Sequence, residues 1–304
     1  MDRVTDPAAA TAAANDWRIH AFAELAPFSV PEGERMHAAG SLVGVVRELR
    51  PDPATAWSIF NPPVADELVV RGADTSGEDS DAPAAADLAA LVDTWAAAAP
   101  GGVPLQLELP VTLRGAPAVL AARGFAPVST FAVRRVGEEA ASSSEWTRKP
   151  GRTLRQPTED DVPGIAGLLE ELHAADASAA TGAWAHPRLR EHLLDYAGRV
   201  AELPVLAVVA EYFGLLAGVA NFAAPGSVPQ RTSRQRELYV QFAAVTRRLR
   251  AGGVGAALVA ELDARARAAG AEILAVDFGA LNPESAPFWL RQRFRPLTTT
   301  WRRP

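Results

Sequence analysis

Val245 to Leu258 reads VTRRLRAGGVGAAL, and the interpretation of the whole chain turns on how this stretch folds. Before it runs a β-rich segment, ELYVQFAAV (237–245); arginines follow at 247, 248 and 250, then glycines at 252, 253 and 255, then an Ala- and Leu-rich run of helical period. A strand end, a basic turn, a glycine loop and the first turn of a helix are therefore expected. Such a helix start presents backbone N–H groups that lack partners inside the helix, at the positive end of its dipole, which suits a phosphate. Glycine lets the backbone approach a ligand with no Cβ in the way, and the arginines add positive charge beside it. A tight turn flanked by solvated arginines has the same composition, so the loop alone leaves both readings open.

The surrounding chain narrows the choice. It has 304 residues, 48% hydrophobic and 22% charged, with a formal net charge of −6. That length accommodates two domains. The charge balance is that of a soluble globular protein with no general pull toward nucleic acid or an anionic membrane. The absence of cysteine excludes disulfides, thiolate metal sites and a cysteine nucleophile, and the five histidines have no metal-ligand spacing, so no metal is expected. The opening MDRVTDPAAATAAANDW carries Asp2, Asp6 and Asp16 and no apolar core of a secretion signal, which predicts a disordered 1–16 and a cytoplasmic protein. Val205 to Ala224 is apolar enough to resemble a membrane span, but Glu211 and Tyr212-Phe213-Gly214 divide it into two β-rich runs, as in a buried hairpin.

In the first half, strands are expected at 41–49, 56–60, 67–71, 105–109 and 129–136, with helices near 22–25, 85–98 and 116–123. In the second half, strands are expected at 153–156, 237–245, 273–278 and 297–301, with helices at 162–174, capped by Thr158, and at 188–199 and 256–269. Displacing the chain by 169 residues lays Asp87–Ala99 on Ala256–Ala268, LQLEL on LAVDF and Gly124-Phe125-Ala126-Pro127 on Arg293-Phe294-Arg295-Pro296 without a gap. This is a duplicated unit. Residues 17–137 and 152–304 are the expected domains, and 138–151, rich in Glu, Ser and Lys, has linker composition. Where the second copy has RAGGVG (250–255) the first has DAPAAA (81–86), so a phosphate is expected in the second copy alone.

Two ligands fit a glycine loop. Gly253-Val254-Gly255 begins the dinucleotide pattern G-x-G-x-x-G, with Asp277 suitably placed at the end of the next strand; against it, Leu258 holds the third glycine position and 27 residues after Asp277 do not complete a doubly wound sheet. Val245 to Leu258 also resembles motif A of the GNAT superfamily of acyl-CoA-dependent N-acyltransferases, V-x-P-x-x-R-x-x-G-x-G-x-x-L, with Arg247 in place of the proline. The likeness extends to Leu154–Asp161, to the hairpin Val209-Ala210-Glu211 with Gly214 and Gly218, and to the ending Asn282–Trp289 followed by Phe294-Arg295-Pro296.

The resemblance implies an α/β (α+β) chain of two tandem GNAT-like domains, each a mixed, mostly antiparallel sheet flanked by helices, the first copy degenerate. It implies that main-chain groups of Ala243, Ala244 and Val245 pair with a pantetheine arm. It implies further that the amides of Arg250, Ala251, Gly252, Gly253, Val254 and Gly255 hold a pyrophosphate, that Asn282 contacts the cofactor, and that strands 237–245 and 273–278 splay around a thioester. The activity implied is transfer of acetyl from acetyl-CoA to a primary amine on a small molecule or peptide, by a monomer or homodimer without nucleic acid or membrane. An acyl-CoA-binding module without turnover is the alternative. The family's acid tyrosine falls at Trp289, whose indole suits packing better than proton transfer. Glu237 shares a strand face with Tyr239 and is the candidate base, or a solvated strand-start residue. His173, His186 and His192 are expected at the surface, Trp184 and Tyr196 in packing or lining an acceptor pocket.

Overall fold

In the computed structural model, residues 35–40, 42–52, 58, 60–71, 81–113, 115–138, 143–179, 186–228, 231–232 and 236–304 are described. The apolar runs of the first half become β1 (Arg35–Ala39), β2 (Leu42–Leu49), β3 (Ala65–Arg71), β4 (Leu105–Pro110) and β5 (Ala126–Arg135), with helices α1 (Asp81–Ala98) and α2 (Ala116–Ala121). After a short helix, α3 (Ser143–Thr147), the second half supplies β6 (Arg152–Arg155), helices α4 (Val162–Ser178) and α5 (Leu189–Glu202), and the hairpin β7 (Ala207–Tyr212) and β8 (Leu215–Phe222). Then come β9 (Glu237–Val245), α6 (Val254–Ala268), β10 (Ile273–Gly279), α7 (Ser285–Arg291) and β11 (Arg295–Arg303). The expected helix at 22–25 and the disordered 1–16 lie outside the described residues, and Ser58 and Phe60, the described part of 56–60, are not in a strand. Val205–Ala224 contains the expected hairpin, and none of the described helices is long and apolar enough to cross a membrane.

The strands form one sheet in the order β1-β2-β3-β4-β11-β5-β10-β9-β8-β7-β6. Of its ten neighbouring pairs only β3 with β4 and β9 with β10 are parallel, so this is the mixed, mostly antiparallel sheet of the GNAT reading and not the parallel sheet of a dinucleotide fold. The halves are interlocked at its centre. Each gives its last strand to the other: β5 pairs with β10 of the second half, and β11 pairs with β4 of the first. The pairing follows the sequence repeat. Phe278 pairs with Thr130, and the same 169-residue offset leads from these to Leu109 and Thr299, which also pair.

Side chains repeat the symmetry. On β5, Arg134 donates to the Gln292 carbonyl at 2.9 Å with its guanidinium 4.9 Å from the Phe294 ring; on β11, Arg303 donates to the Arg123 carbonyl at 3.3 Å and stands 5.1 Å from the Phe125 ring. Each arginine fixes its strand to the turn before the other half's last strand.

Apolar layers hold the sheet. Leu88, Leu91, Val92 and Trp95 of α1 pack on Leu68, Leu105 and Leu107. On the same principle, Leu258, Val259 and Leu262 of α6 cover one face of the second half, and Ile165, Leu169, Tyr196 and Val200 of α4 and α5 cover the other. Each fully buried aliphatic side chain contributes about 1.5–3 kcal/mol. The described part of the expected linker from 143 onward does more than its composition suggests, because Trp146 of α3 is buried in the α6 layer and Arg152 lies over its ring.

A charged clasp ties the start of α4 to the sheet edge. Arg155 of β6 donates to both Asp161 oxygens at 2.7 and 2.9 Å and to Glu211 of β7, while Asp161 accepts the Thr158 N–H at 2.8 Å. The Arg155 hydrogen bonds, outweighing burial, hold the Asp161 carboxyl below its ordinary range. A depressed folded-state pKa contributes stability above the unfolded value of about 4 that is lost as pH falls through the folded one. Asp161→Asn is therefore expected to lower the melting temperature at pH 7 and to narrow its gap from the parent below about pH 4. A gap constant from pH 7 to pH 3 would contradict this.

Candidate functional site

The site begins with a fault in β9. Asn221 pairs with Phe242 but Phe222 with Val240, so Gln241 is the extra residue of a β-bulge. The bulge breaks the alternation of faces. Leu238, Val240, Ala243 and Val245 pack on the α6 side, whereas Phe242 and Ala244 pack under α4 and α5. β9 and β10 are paired from Glu237–Ile273 to Val240–Val276 and no further. Beyond that point β10 stays with β5 as far as Gly279, and β9 stays with β8 as far as Val245. The two strands therefore part where a thioester was expected, and the edge of 241–245 turned toward β10 has no ladder partner among the described residues. Ala243, Ala244 and Val245 lie on this edge.

The chain then enters the glycine loop. Ala251, Gly252 and Gly253 are exposed, and Val254 is buried where α6 starts. Gly253 stands before α6 with φ 85°, no side chain caps the helix, and its first turn holds no acidic residue. Gly252 spends its N–H on the Leu249 carbonyl at 3.2 Å. Exposed Gly253 thus stands at the positive end of a 15-residue helix, with no carboxylate of the first turn competing for its amides. Arg247 and Arg248 are exposed beside it, while Arg250 is used internally, donating to the Val245 carbonyl at 3.1 Å and pairing with Glu284. Its side chain joins the end of β9 to the approach to α7. In the first half, α1 begins with Asp81 and has no glycine in DAPAAA.

Asn282, buried beyond β10, is engaged through both amide atoms: its Oδ1 accepts the N–H of Glu284 at 3.0 Å and of Ser285 at 3.3 Å, and its Nδ2 donates to Asp176 at 2.8 Å. Glu237 lies before the parting of the strands, where its Oε2 accepts from the Thr232 N–H at 3.0 Å and the Thr232 hydroxyl at 2.5 Å. Trp289 is buried between Phe288 and Phe294, as its packing assignment anticipated. His173 and His192, expected at the surface, are buried instead: His173 stacks 5.6 Å from Phe60, and His192 lies 4.5 Å from the His186 ring. Burial follows from their positions on the apolar faces of α4 and α5. Phe60, a first-half residue, also reaches Phe242 at 5.7 Å, so the wall below the parted strands draws on both halves. Trp184 lies outside the described residues.

Asp277, the acid of the dinucleotide reading, belongs to a different arrangement. It accepts from Arg231 at 2.7 Å, from the Tyr239 hydroxyl at 3.0 Å and from Ser129 at 3.3 Å. Arg231 also reaches Glu108 at 3.1 Å and Thr298 at 3.4 Å and lies 3.8 Å over Phe131. Glu108 and Asp277 are 169 residues apart, as are Ser129 and Thr298, so one arginine bridges symmetry-equivalent groups at the seam. Burial first, then the Asp277 charge, holds the Tyr239 phenol well above its ordinary range, leaving it a hydrogen-bond donor. Nothing local in the sequence marked Arg231; the 169-residue spacing of Glu108 and Asp277 was the available signal.

Comparison with known proteins agrees with this geometry. No curated protein matches the chain. A GCN5-related N-acetyltransferase from Sphaerobacter thermophilus is similar over 99% of this chain and 95% of its own, at 15% identity and a TM-score of 0.56, a likeness of fold. A GCN5-related N-acetyltransferase from Kribbella flavida matches 99% of this chain and 96% of its own at 16% identity and TM-score 0.42. A tandem GNAT protein from the clavulanic acid biosynthesis pathway matches 96% and 94% at 14% identity and TM-score 0.44. The model of the Acetyltransferase (GNAT) family matches residues 169–294, which include the parted strands and the glycine loop. Residues 169–294 are thus similar to the GNAT acetyltransferase family, and the fold around them is that of a GCN5-related N-acetyltransferase.

Proposed function

We propose that the protein transfers acetyl from acetyl-CoA to a primary amine on a small molecule or peptide. The observation that carries this reading is the continuity of an unpaired strand edge, 241–245, with an uncapped, exposed helix start at Gly253. Main-chain groups of Ala243, Ala244 and Val245 would pair with the pantetheine amides as an added strand, and those amides between Arg250 and Gly255 that are not spent within the loop, as Gly252's is, would receive the pyrophosphate. Acetyl-CoA supplies the activated acyl group. A backbone N–H on the open part of β9 would stabilise the oxyanion that forms when a neutral amine attacks, an N–H whose position the bulge at Gln241 determines. Phe60, His173 and Phe242 would wall the acceptor side, placing residues of both halves around the amine.

Asn282 would act chiefly by holding the start of α7 and Asp176, with one remaining Nδ2 hydrogen for the cofactor. The test is ligand-dependent melting followed by thiol release. Coenzyme A or acetyl-CoA at about 100 times Kd is expected to raise the melting temperature by on the order of 5 °C, NAD is expected to leave it unchanged, and acetyl-CoA with a panel of primary amines is expected to release free thiol. Stabilisation by NAD alone would overturn the reading. The burial of Trp289 at the position of the acid tyrosine favours a second reading, an acyl-CoA-binding module, which stabilisation without thiol release would support.

A further inference from the structure

Acyl transfer to an amine requires a proton carrier, and neither position singled out in the sequence supplies one at the parted strands. Trp289 is enclosed by aromatic rings. Glu237 is held by Thr232 at the start of β9, four residues or about 13 Å before the bulge at Gln241.

A different carboxylate lies on the β10 wall. Asp176, in the last turn of α4, accepts the Asn282 Nδ2–H at 2.8 Å, and a Cβ at Gly279 would come within 2.8 Å of its Oδ1, so the glycine leaves room for it. Five residues earlier, Glu171 accepts the Arg247 N–H at 3.0 Å and faces the Thr246 hydroxyl at 3.4 Å, just past the end of β9. Helix α4 is thus tied to both diverging strand ends, and the stretch between its two ties, about 7.5 Å long, crosses the gap. Asp176 stands at the β10 side of that gap with one oxygen oriented by Asn282.

We propose that Asp176 is the proton-transfer residue of the acyl transfer, an inference that rests on the acetyl-CoA reading above. As the amine nitrogen bonds to the thioester carbonyl carbon, the Asp176 carboxylate takes the proton the nitrogen gives up. As the C–S bond breaks, the same proton passes to the departing sulfur, and the carboxylate returns to its starting state. One residue then does the work of separate base and acid, in keeping with a buried tryptophan at the acid position. Burial raises the proton affinity of Asp176, opposed by the Asn282 hydrogen bond and by His173 one turn earlier, so the group exchanges protons closer to neutral pH than an exposed aspartate. Gly279 and Asn282 are its neighbours from β10 and the chain beyond, and neither titrates.

The test compares Asp176→Asn, which keeps an acceptor for Asn282, and Glu237→Gln with the parent. Acetyl-CoA is the probe, thiol release is followed with the amine panel and with water as acceptor, and acetyl-CoA-dependent melting is measured in parallel. Asp176→Asn is expected to reduce kcat/KM about 100-fold or more and to abolish the acidic limb of its pH profile, with the melting shift retained; Glu237→Gln is expected to keep the limb. Parent-like release and limb in Asp176→Asn would overturn the inference alone, as would loss of its melting shift together with the rate. Binding by the parent without thiol release from any acceptor would overturn it while leaving acetyl-CoA binding standing. A parent that acetyl-CoA does not stabilise would overturn both.

Discussion

Arg134→Met is expected to lower the unfolding free energy by about 3–5 kcal/mol, the range for removing one partner of a buried ion pair. Arg134 and Asp263 are 0% and 1% exposed and 2.8 Å apart, joining β5 from the first half to α6 from the second. Asp263 also accepts the Gly137 N–H at 3.1 Å and Arg267 at 3.0 Å, contacts that keep its carboxyl in place in the core when Arg134 is removed. The attraction lost is large because little water screens it, and the Gln292 carbonyl loses its donor as well. Removing both groups, as Arg134→Met with Asp263→Leu, should cost less than the single change, since no buried carboxyl is left without its buried partner and Arg267, which also meets Asp263, is half exposed. The equivalent arginine provides the control. Arg303 has the equivalent carbonyl, of Arg123, and the equivalent ring, of Phe125, but Thr94 stands where Asp263 does, so Arg303→Met should cost only about 1 kcal/mol. Urea unfolding followed by tryptophan fluorescence measures all three variants. Equal effects of Arg134→Met and Arg303→Met would refute the ion pair as the main tie between the halves.

This tie shows what a repeat conveys and what it withholds. The 169-residue offset was readable because helix and strand patterns survive when ligand residues diverge, and it led correctly to equivalent strands in the two halves. It could not tell which half each final strand joins. β5 and β11 occupy equivalent registers, so local propensity and apolar pattern are the same for pairing within a half or across halves. The choice is made by side chains far apart in sequence, such as Arg134 with Asp263 and Arg231 with Glu108 and Asp277.

The glycine loop, by contrast, is a local device, and β9, the loop and α6 fall where glycine, arginine and apolar period put them. Asp176 was invisible for the opposite reason. Its neighbours Asn282 and Gly279 lie about a hundred residues away, and the sequence around it, HAADAS, is that of any helix end.

Gly253→Val is expected to weaken coenzyme A binding by about 10- to 100-fold, or roughly 1.4–2.8 kcal/mol. Gly253 has φ 85°, which a β-branched residue adopts only with strain of order 1–3 kcal/mol. Relief of that strain would turn the peptide units before α6, and the N–H groups that converge on a phosphate would diverge. Each charge-assisted hydrogen bond lost is worth about 1.5–3 kcal/mol, so misplacing one accounts for the expected loss. Gly255→Val acts from the other side, since a Cβ there meets Phe288 at 3.0 Å and would press α7 away from α6. Ala251→Gly separates strain from binding. Ala251 has φ 62°, so glycine should raise stability by about 1 kcal/mol while coenzyme A affinity holds. Calorimetric titration with coenzyme A, beside melting of the unliganded variants, distinguishes the possibilities. If Gly253→Val loses stability but keeps its affinity, the loop is a turn and its amides are not the phosphate site. If affinity falls in Gly253→Val and Gly255→Val but not in Ala251→Gly, the amides at the start of α6 bind the phosphate, and the charge of Arg250, already paired with Glu284, is not what selects it.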